Sequence, residues 1–374
     1  MNASRPDLPP SNLSVPFHVR NSPAGHEESR DVNEAPRNCG PAAASPSNEV
    51  RPDGSNLIFI LGVPRSGTSW LGKIFDSHPM ALYRHEPDAV LPPVGFPPHC
   101  PVEAVPKYED AARSYVALLA GVRQIKASGT RPVFAKPFQT LPAVLTRRAL
   151  VYGLRTFEAI APRARWPRRI AIPDWVQSDA SSLKYVIKSV SLLGAAALLA
   201  RALPAGRLIV IVRHPCGQIA SMKRGLHFRT MRAETMFGPY VAETSRAREL
   251  GFTRKDYENL PLLDQWVHGW AFAHAKMLKD VEGLANVSIV RYEELCASPL
   301  QRSREIIEFA GLPWDAAVLR FVEASTRPAR HEGYFSLYRE PMISANKWKE
   351  ELSAQEIERY MTIVHAILPT LFPE

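Results

Sequence analysis

The run Gly62-Val63-Pro64-Arg65-Ser66-Gly67-Thr68-Ser69-Trp70-Leu71 has the composition of a turn leading into a helix. Such a turn aims successive backbone N–H groups, and the positive end of the helix dipole, at a phosphate. Measured against the triphosphatase pattern GxxxxGK[ST], Gly62 and Gly67 keep the spacing and Ser69 fills the last place, but Thr68 replaces the lysine. That lysine reaches the β and γ phosphates of ATP. Its loss weakens a kinase or ATPase reading and favours a ligand with fewer charges at its 5′ end. A second grip follows at Arg213-His214-Pro215, with Ser221 six residues beyond Pro215. Pro215 suits a first helical turn, and Ser221 is within reach of an anion held against that helix by Arg213. Two grips imply a ligand carrying phosphates at two places.

These residues need a frame that puts them side by side. Leu57 to Leu61 and Arg207 to Val212 read as short, continuously apolar strands, with weaker ones at Tyr185 to Ile187 and Val287 to Val290. Such runs are how strands buried on both faces look. Helical patterns lie between them at Leu192 to Ala202, Gln218 to Lys223, Leu262 to Val281 and Leu300 to Gly311, and Ser353 with Glu356 opens a last helix in capping-box spacing. The alternation predicts an α/β fold with a P-loop-like core, a parallel β-sheet flanked by helices on both faces, and ligands beyond the carboxyl ends of the strands. We expect one domain over 56–374. Residues 1–55 read as a disordered Pro/Ser-rich tail, since nine prolines fall in the first 52 residues without helical or strand periodicity. The stretch 147–175, with seven arginines interleaved with Trp166 and Trp175, reads as a basic insertion: a solvated basic face or an acceptor lid.

A net charge of +9 suits anionic ligands. No lysine-rich tract or aromatic RNA signature accompanies it, so nucleic acid is not an expected partner. Cys39, Cys100, Cys216 and Cys296 are too dispersed for a CxxC site and read as free thiols. The first ten residues lack the apolar core of a signal peptide and no run of eighteen apolar residues occurs, which points to the cytoplasm and leaves a peripheral membrane contact open.

At these motifs the sequence resembles the sulfotransferase superfamily that uses 3′-phosphoadenosine 5′-phosphosulfate (PAPS), most of all its carbohydrate sulfotransferases and their bacterial relatives. Residues Pro64 to Leu71 look like the 5′-phosphosulfate loop, and His78-Pro79 with Glu86-Pro87 like its continuation. Arg213 and Ser221 match the pair that binds the 3′-phosphate. Arg291-Tyr292-Glu293-Glu294-Leu295 resembles the RYEDL segment, whose tyrosine lies near the adenine, and Asn346-Lys347-Trp348-Lys349 the segment that closes over the nucleotide. His214 departs from the Asp or Asn common there.

The resemblance implies PAPS as co-substrate, no required metal, and a hydroxyl acceptor on a glycan, glycolipid or small metabolite. Arg65 and the amides of Ser66, Gly67, Thr68, Ser69 and Trp70 would hold the 5′ end, with Tyr292 and Lys347 as further nucleotide contacts. Lys188, or else Lys184, would neutralise the leaving group. Glu86 is the expected general base, with His85 and His78 as alternatives. Trp70 is either a core aromatic or an adenine contact, and Trp348 a packing anchor. Two rival readings stand beside this one: a P-loop kinase or NTPase, which must explain Thr68, and a non-catalytic protein that binds acidic membranes or polyanions through the arginine-rich stretch.

Overall fold

The computed structural model describes residues 50–374 apart from 162, 165, 178–181, 229–236, 328–336, 339, 370 and 372–374. Most of the expected tail, Cys39 and Arg165 lie outside the described residues. Five strands, β1 (Leu57–Leu61), β2 (Ala81–His85), β3 (Lys184–Ser189), β4 (Arg207–Val212) and β5 (Val287–Arg291), form one all-parallel sheet in the order β2-β3-β1-β4-β5. Every residue of β1 is buried because alternate side chains enter different cores. Leu57, Phe59 and Leu61 face a core completed by the helices Val105–Ala120, Ala196–Ala202, Pro215–His227, Leu262–Val281 and Ala354–Ile367. Ile58 and Ile60 face the opposite core, built with α1 (Thr68–Ser77) and the helices Tyr292–Ala297, Pro299–Phe309 and Ala316–Ser325. The continuous apolar runs of β1 and β4 follow from this sandwiching.

Several elements differ from their sequence outline. Met80 to Tyr83 reads as no more than an apolar stretch, yet Ala81–His85 becomes the edge strand β2 by pairing with β3. Leu192 to Ala202 is divided into a 3₁₀ turn over Leu193–Ala195 and a helix from Ala196. The basic stretch is not a uniform surface insertion. Its first half belongs to the helix Leu141–Ile160, which Thr140 caps by accepting the Ala143 amide and which packs Val151 and Leu154 on a small third core. Arg147 donates to the Ser128 carbonyl (3.1 Å) and faces Asp174, while Arg155 donates to the carbonyls of Gly129 (2.9 Å) and Ile125 (2.8 Å). These two arginines tie loops together, and Arg148, Arg163, Arg168 and Arg169 remain exposed. Ser353 and Glu356 form the reciprocal cap that their spacing predicts.

Candidate functional site

All five strands deliver a site residue from their carboxyl ends, as the fold rule for parallel sheets requires. In spatial order these are Glu86 after β2, Lys188 near the end of β3, the Gly62–Gly67 turn after β1, Arg213 after β4 and Tyr292 after β5. With strands ~4.8 Å apart, Glu86 and Arg213 stand three spacings or ~14 Å apart, with the turn between them. They line one cleft of about 1010 Å³.

The turn is shaped by two residues in the left-handed region. Gly67, the N-cap of α1, has φ +100°, and a Cβ there would sit 2.4 Å from Cδ2 of Tyr292. Glycine is therefore demanded twice, by conformation and by space. Arg65 has φ +73°, a conformation that costs a non-glycine residue about 1–2 kcal/mol. Its surroundings hold it: Arg65 Nε donates to Ser221 Oγ (3.1 Å), and its carbonyl accepts from Arg213 Nη1 (3.0 Å). The two expected anion grips are thus locked to each other. Arg213 also donates to the Ser344 carbonyl (2.9 Å) and lies 4.7 Å over the Tyr292 ring, so Tyr292 is the wedge on which both grips rest.

The donor set fits a doubly phosphorylated ligand. The Ser66 hydroxyl and Arg213 Nε are buried with no hydrogen-bond partner among the described residues. Buried donors left so cost about 1–3 kcal/mol each, and phosphate oxygens would satisfy them. The first-turn amides of α1 at Thr68 and Ser69 have no intrahelical acceptor and add to the cradle.

At the other end of the cleft, register sets the chemistry. His85 of β2 pairs with Lys188 of β3, and the Glu86 amide donates to the Lys188 carbonyl at 2.7 Å. Glu86 then turns back with φ +47°, and the Lys188 ammonium donates to Glu86 Oε1. Burial alone would raise the Glu86 carboxyl, but the Lys188 charge overrides it and holds the group down at about 2. Burial lowers Lys188, whose side chain is 2% exposed, and Glu86 offsets only part of that. Glu86 is therefore ionised at neutral pH. His85 is pushed down to about 3 by burial and by Lys188, and its Nδ1 is 2.9 Å from the Tyr83 hydroxyl. It is neutral, and its Nε2 stands 3.8 Å from Glu86, beyond hydrogen-bond reach.

Other expected residues are sorted by position. Lys184 starts β3, at the end remote from the cleft, and donates to the Ser55 carbonyl, which removes it as a leaving-group partner. His78 is engaged with the Pro313 carbonyl (2.9 Å) and the Met80 amide (3.1 Å), a loop-holding role. Trp70 lines the cleft while its Nε1 donates to Ser325 Oγ (3.0 Å), so it serves packing and cleft at once. Lys347 lines the cleft with its ammonium 3.9 Å from Glu351. Trp348 stacks on His214 with ring centroids 4.5 Å apart, which gives the departure at His214 a function in docking that segment. Sequence reasoning missed Lys73, Arg131, Tyr152, Arg224 and Ser344, which also line the cleft. Lys73 was findable as a lysine one turn into α1; it is buried and donates to Asp76 (2.6 Å) and to the Thr130 and Pro132 carbonyls. The 130–132 loop carries no motif that would have marked it.

Carbohydrate sulfotransferase 1 of Rattus norvegicus is 36% identical over 67 residues, which are 17% of this chain and 16% of that protein. The Danio rerio protein of the same name is 31% identical over 88 residues, 22% of this chain and 20% of its own. The chain thus spans a fifth or less of the length of these relatives. A solved sulfotransferase from Mycobacterium avium covers 85% of this chain and 77% of its own at 14% identity, with a TM-score of 0.40. The profile of the Sulfotransferase family matches residues 57–316, from the first residue of β1 past all five strands and the residues at their carboxyl ends. This chain belongs to the sulfotransferase family.

Proposed function

We propose that the protein transfers a sulfuryl group from PAPS to a hydroxyl acceptor, and that a sugar supplies this hydroxyl. The observation that carries the reading is the lock of Arg213 and Ser221 onto Arg65, which makes two anion cradles into one rigid unit beside an acid–lysine pair. Arg213 and Ser221 suit a 3′-phosphate, and Arg65 with the Ser66 to Trp70 amides suits the 5′ end of the same nucleotide. The stretch shared with carbohydrate sulfotransferase 1 supports the sugar acceptor.

In the reaction, an acceptor oxygen attacks sulfur in line, an S–O bond forms, and the bond to the 5′-phosphate breaks with its electron pair on the phosphate. Negative charge therefore grows on the leaving oxygen, and fixed cations in a dry site stabilise it best. Lys188 is such a cation: buried, incompletely compensated by Glu86, and next to the turn on the neighbouring strand. Glu86, freed as Lys188 turns to the leaving oxygen, accepts the acceptor proton. Neutral His85, engaged with the Tyr83 hydroxyl, does not titrate in this step.

The test is thermal stabilisation of the full chain by adenosine 3′,5′-bisphosphate compared with ATP and Mg²⁺. At a hundredfold excess over Kd the first ligand should add about 2.7 kcal/mol, a rise of about 5 °C. Stabilisation by ATP with Mg²⁺ and none by the bisphosphate would return the protein to the kinase reading.

A further inference from the structure

The helix Leu141–Ile160 presents apolar side chains to both its sides. Its inner face packs Val144, Val151 and Leu154, as a surface helix should. Its outer face carries Leu141 (71% exposed), Leu145 (56%), Tyr152 (43%) and Ile160 (78%). The spacings of four, seven and eight residues bring these onto one stripe of the helix. At its end Phe157 meets the half-exposed Trp166, ring centroids 5.0 Å apart, which widens the stripe. Large apolar side chains exposed as one contiguous face mark a surface that meets something apolar.

The charges beside the stripe say what that something is. Residues 141–169 hold seven arginines and one acid, Glu158, which is paired with Arg155 at 2.8 Å. Arg148, Arg163, Arg168 and Arg169 are exposed with no acidic partner among the described residues. Basic side chains flanking exposed Leu, Ile and Trp are the composition of an interfacial helix lying on an anionic bilayer. A soluble polyanion would use the arginines but leave the stripe in water. The helix does not span: no helix among the described residues is long and apolar enough to cross a membrane. Tyr152 belongs to both the stripe and the cleft lining, so docking would bring one wall of the cleft to the headgroups.

We infer that the outer face of the helix Leu141–Ile160, with Trp166 and its flanking arginines, is a docking surface for an anionic lipid bilayer. The experiment is sedimentation of the full chain with vesicles of phosphatidylcholine alone or with phosphatidylserine at about one third, a composition chosen for its negative surface potential. Wild type should pellet with the anionic vesicles and not with the neutral ones. The pair Leu145→Glu and Ile160→Glu should lower the partition coefficient at least about tenfold. Reversing Arg168 and Arg169 to Glu should lower it at least about fivefold per site. Both variants alter exposed positions, and stabilisation by adenosine 3′,5′-bisphosphate equal to wild type will show that they are folded. That ligand reads the nucleotide site alone, so failure of docking and failure of the sulfotransfer reading remain distinguishable. Absence of wild-type binding to anionic vesicles overturns the inference. So does vesicle binding untouched by the apolar pair and abolished by heparin, which would make the surface a polyanion site.

Discussion

Replacing Glu86 by Gln tests the chemical end of the cleft. Glutamine keeps the shape and an oxygen for Lys188 to donate to, but it carries no charge and cannot take a proton. Loss of a general base lowers rate by about 10²–10⁴-fold. Lys188, already lowered by burial, also loses the charge that holds it up, so less ammonium remains to meet the leaving oxygen and the upper part of that range is expected. The stability change is bounded by the same pair. A carboxyl brought from 4.5 to about 2 corresponds to about 3 kcal/mol, and the cost of burying Lys188 offsets part of it, leaving about 1–3 kcal/mol. Because the folded value is the lower one, this contribution is complete above pH 4.5 and disappears as pH falls toward 2. The assay is transfer of radiolabelled sulfate from PAPS at saturating acceptor, alongside titration with adenosine 3′,5′-bisphosphate. We expect kcat to fall by at least about a hundredfold while Kd for the bisphosphate stays within about threefold. Wild-type kcat/KM should show no acid limb between pH 5 and 8 from Glu86 or His85, held at about 2 and about 3. A variant within about tenfold of the wild-type rate, or one losing bisphosphate affinity as fast as rate, would refute the assignment.

Gly67→Ala forces a Cβ to within 2.4 Å of Tyr292 at φ +100°, so the wedge must move away from both grips. Bisphosphate affinity should fall about a hundredfold, and retained affinity in calorimetric titration contradicts this. Arg213→Ala should cost about 2–4 kcal/mol of binding to adenosine 3′,5′-bisphosphate and much less to adenosine 5′-phosphate. Equal losses for the two ligands would place the 3′-phosphate elsewhere. Asp76→Asn leaves the ammonium groups of Lys73 (2.6 Å) and Lys136 (3.7 Å) buried without their carboxylate, and should destabilise the fold by about 3–5 kcal/mol in urea unfolding. A change below about 1 kcal/mol would show that the cluster discharges by proton loss from Lys136, held at about 8.

β1 and β4 were legible in the chain because a strand buried on both faces is apolar along its length, and that signal is local; β3 and β5 gave it only in part, with Lys188 inside the one and Ser288 inside the other. β2 was not legible, since Arg84 and His85 break the run and only the ladder to β3 makes them strand. The glycine turn and the Arg213-His214-Pro215 start were legible for a similar reason: special backbone conformations and helix starts restrict residue type on the spot. The cleft wall from Thr130 to Tyr152 was hidden, because its residues become neighbours of the turn only when Lys73 draws the 130–132 carbonyls onto α1.

The sequence by itself determined which residues can grip anions and which runs must be buried, since both are matters of backbone preference and hydrophobicity within a few positions. Tertiary structure alone decided that Arg65, Arg213 and Ser221 form one unit, that Lys188 rather than Lys184 meets Glu86, and that Arg147 and Arg155 turn inward while their neighbours stay in solvent. The first two outcomes depend on strand order and register, which join residues more than a hundred positions apart, and the third on loops packing against a helix 19 to 30 positions away; none leaves a local trace in the chain.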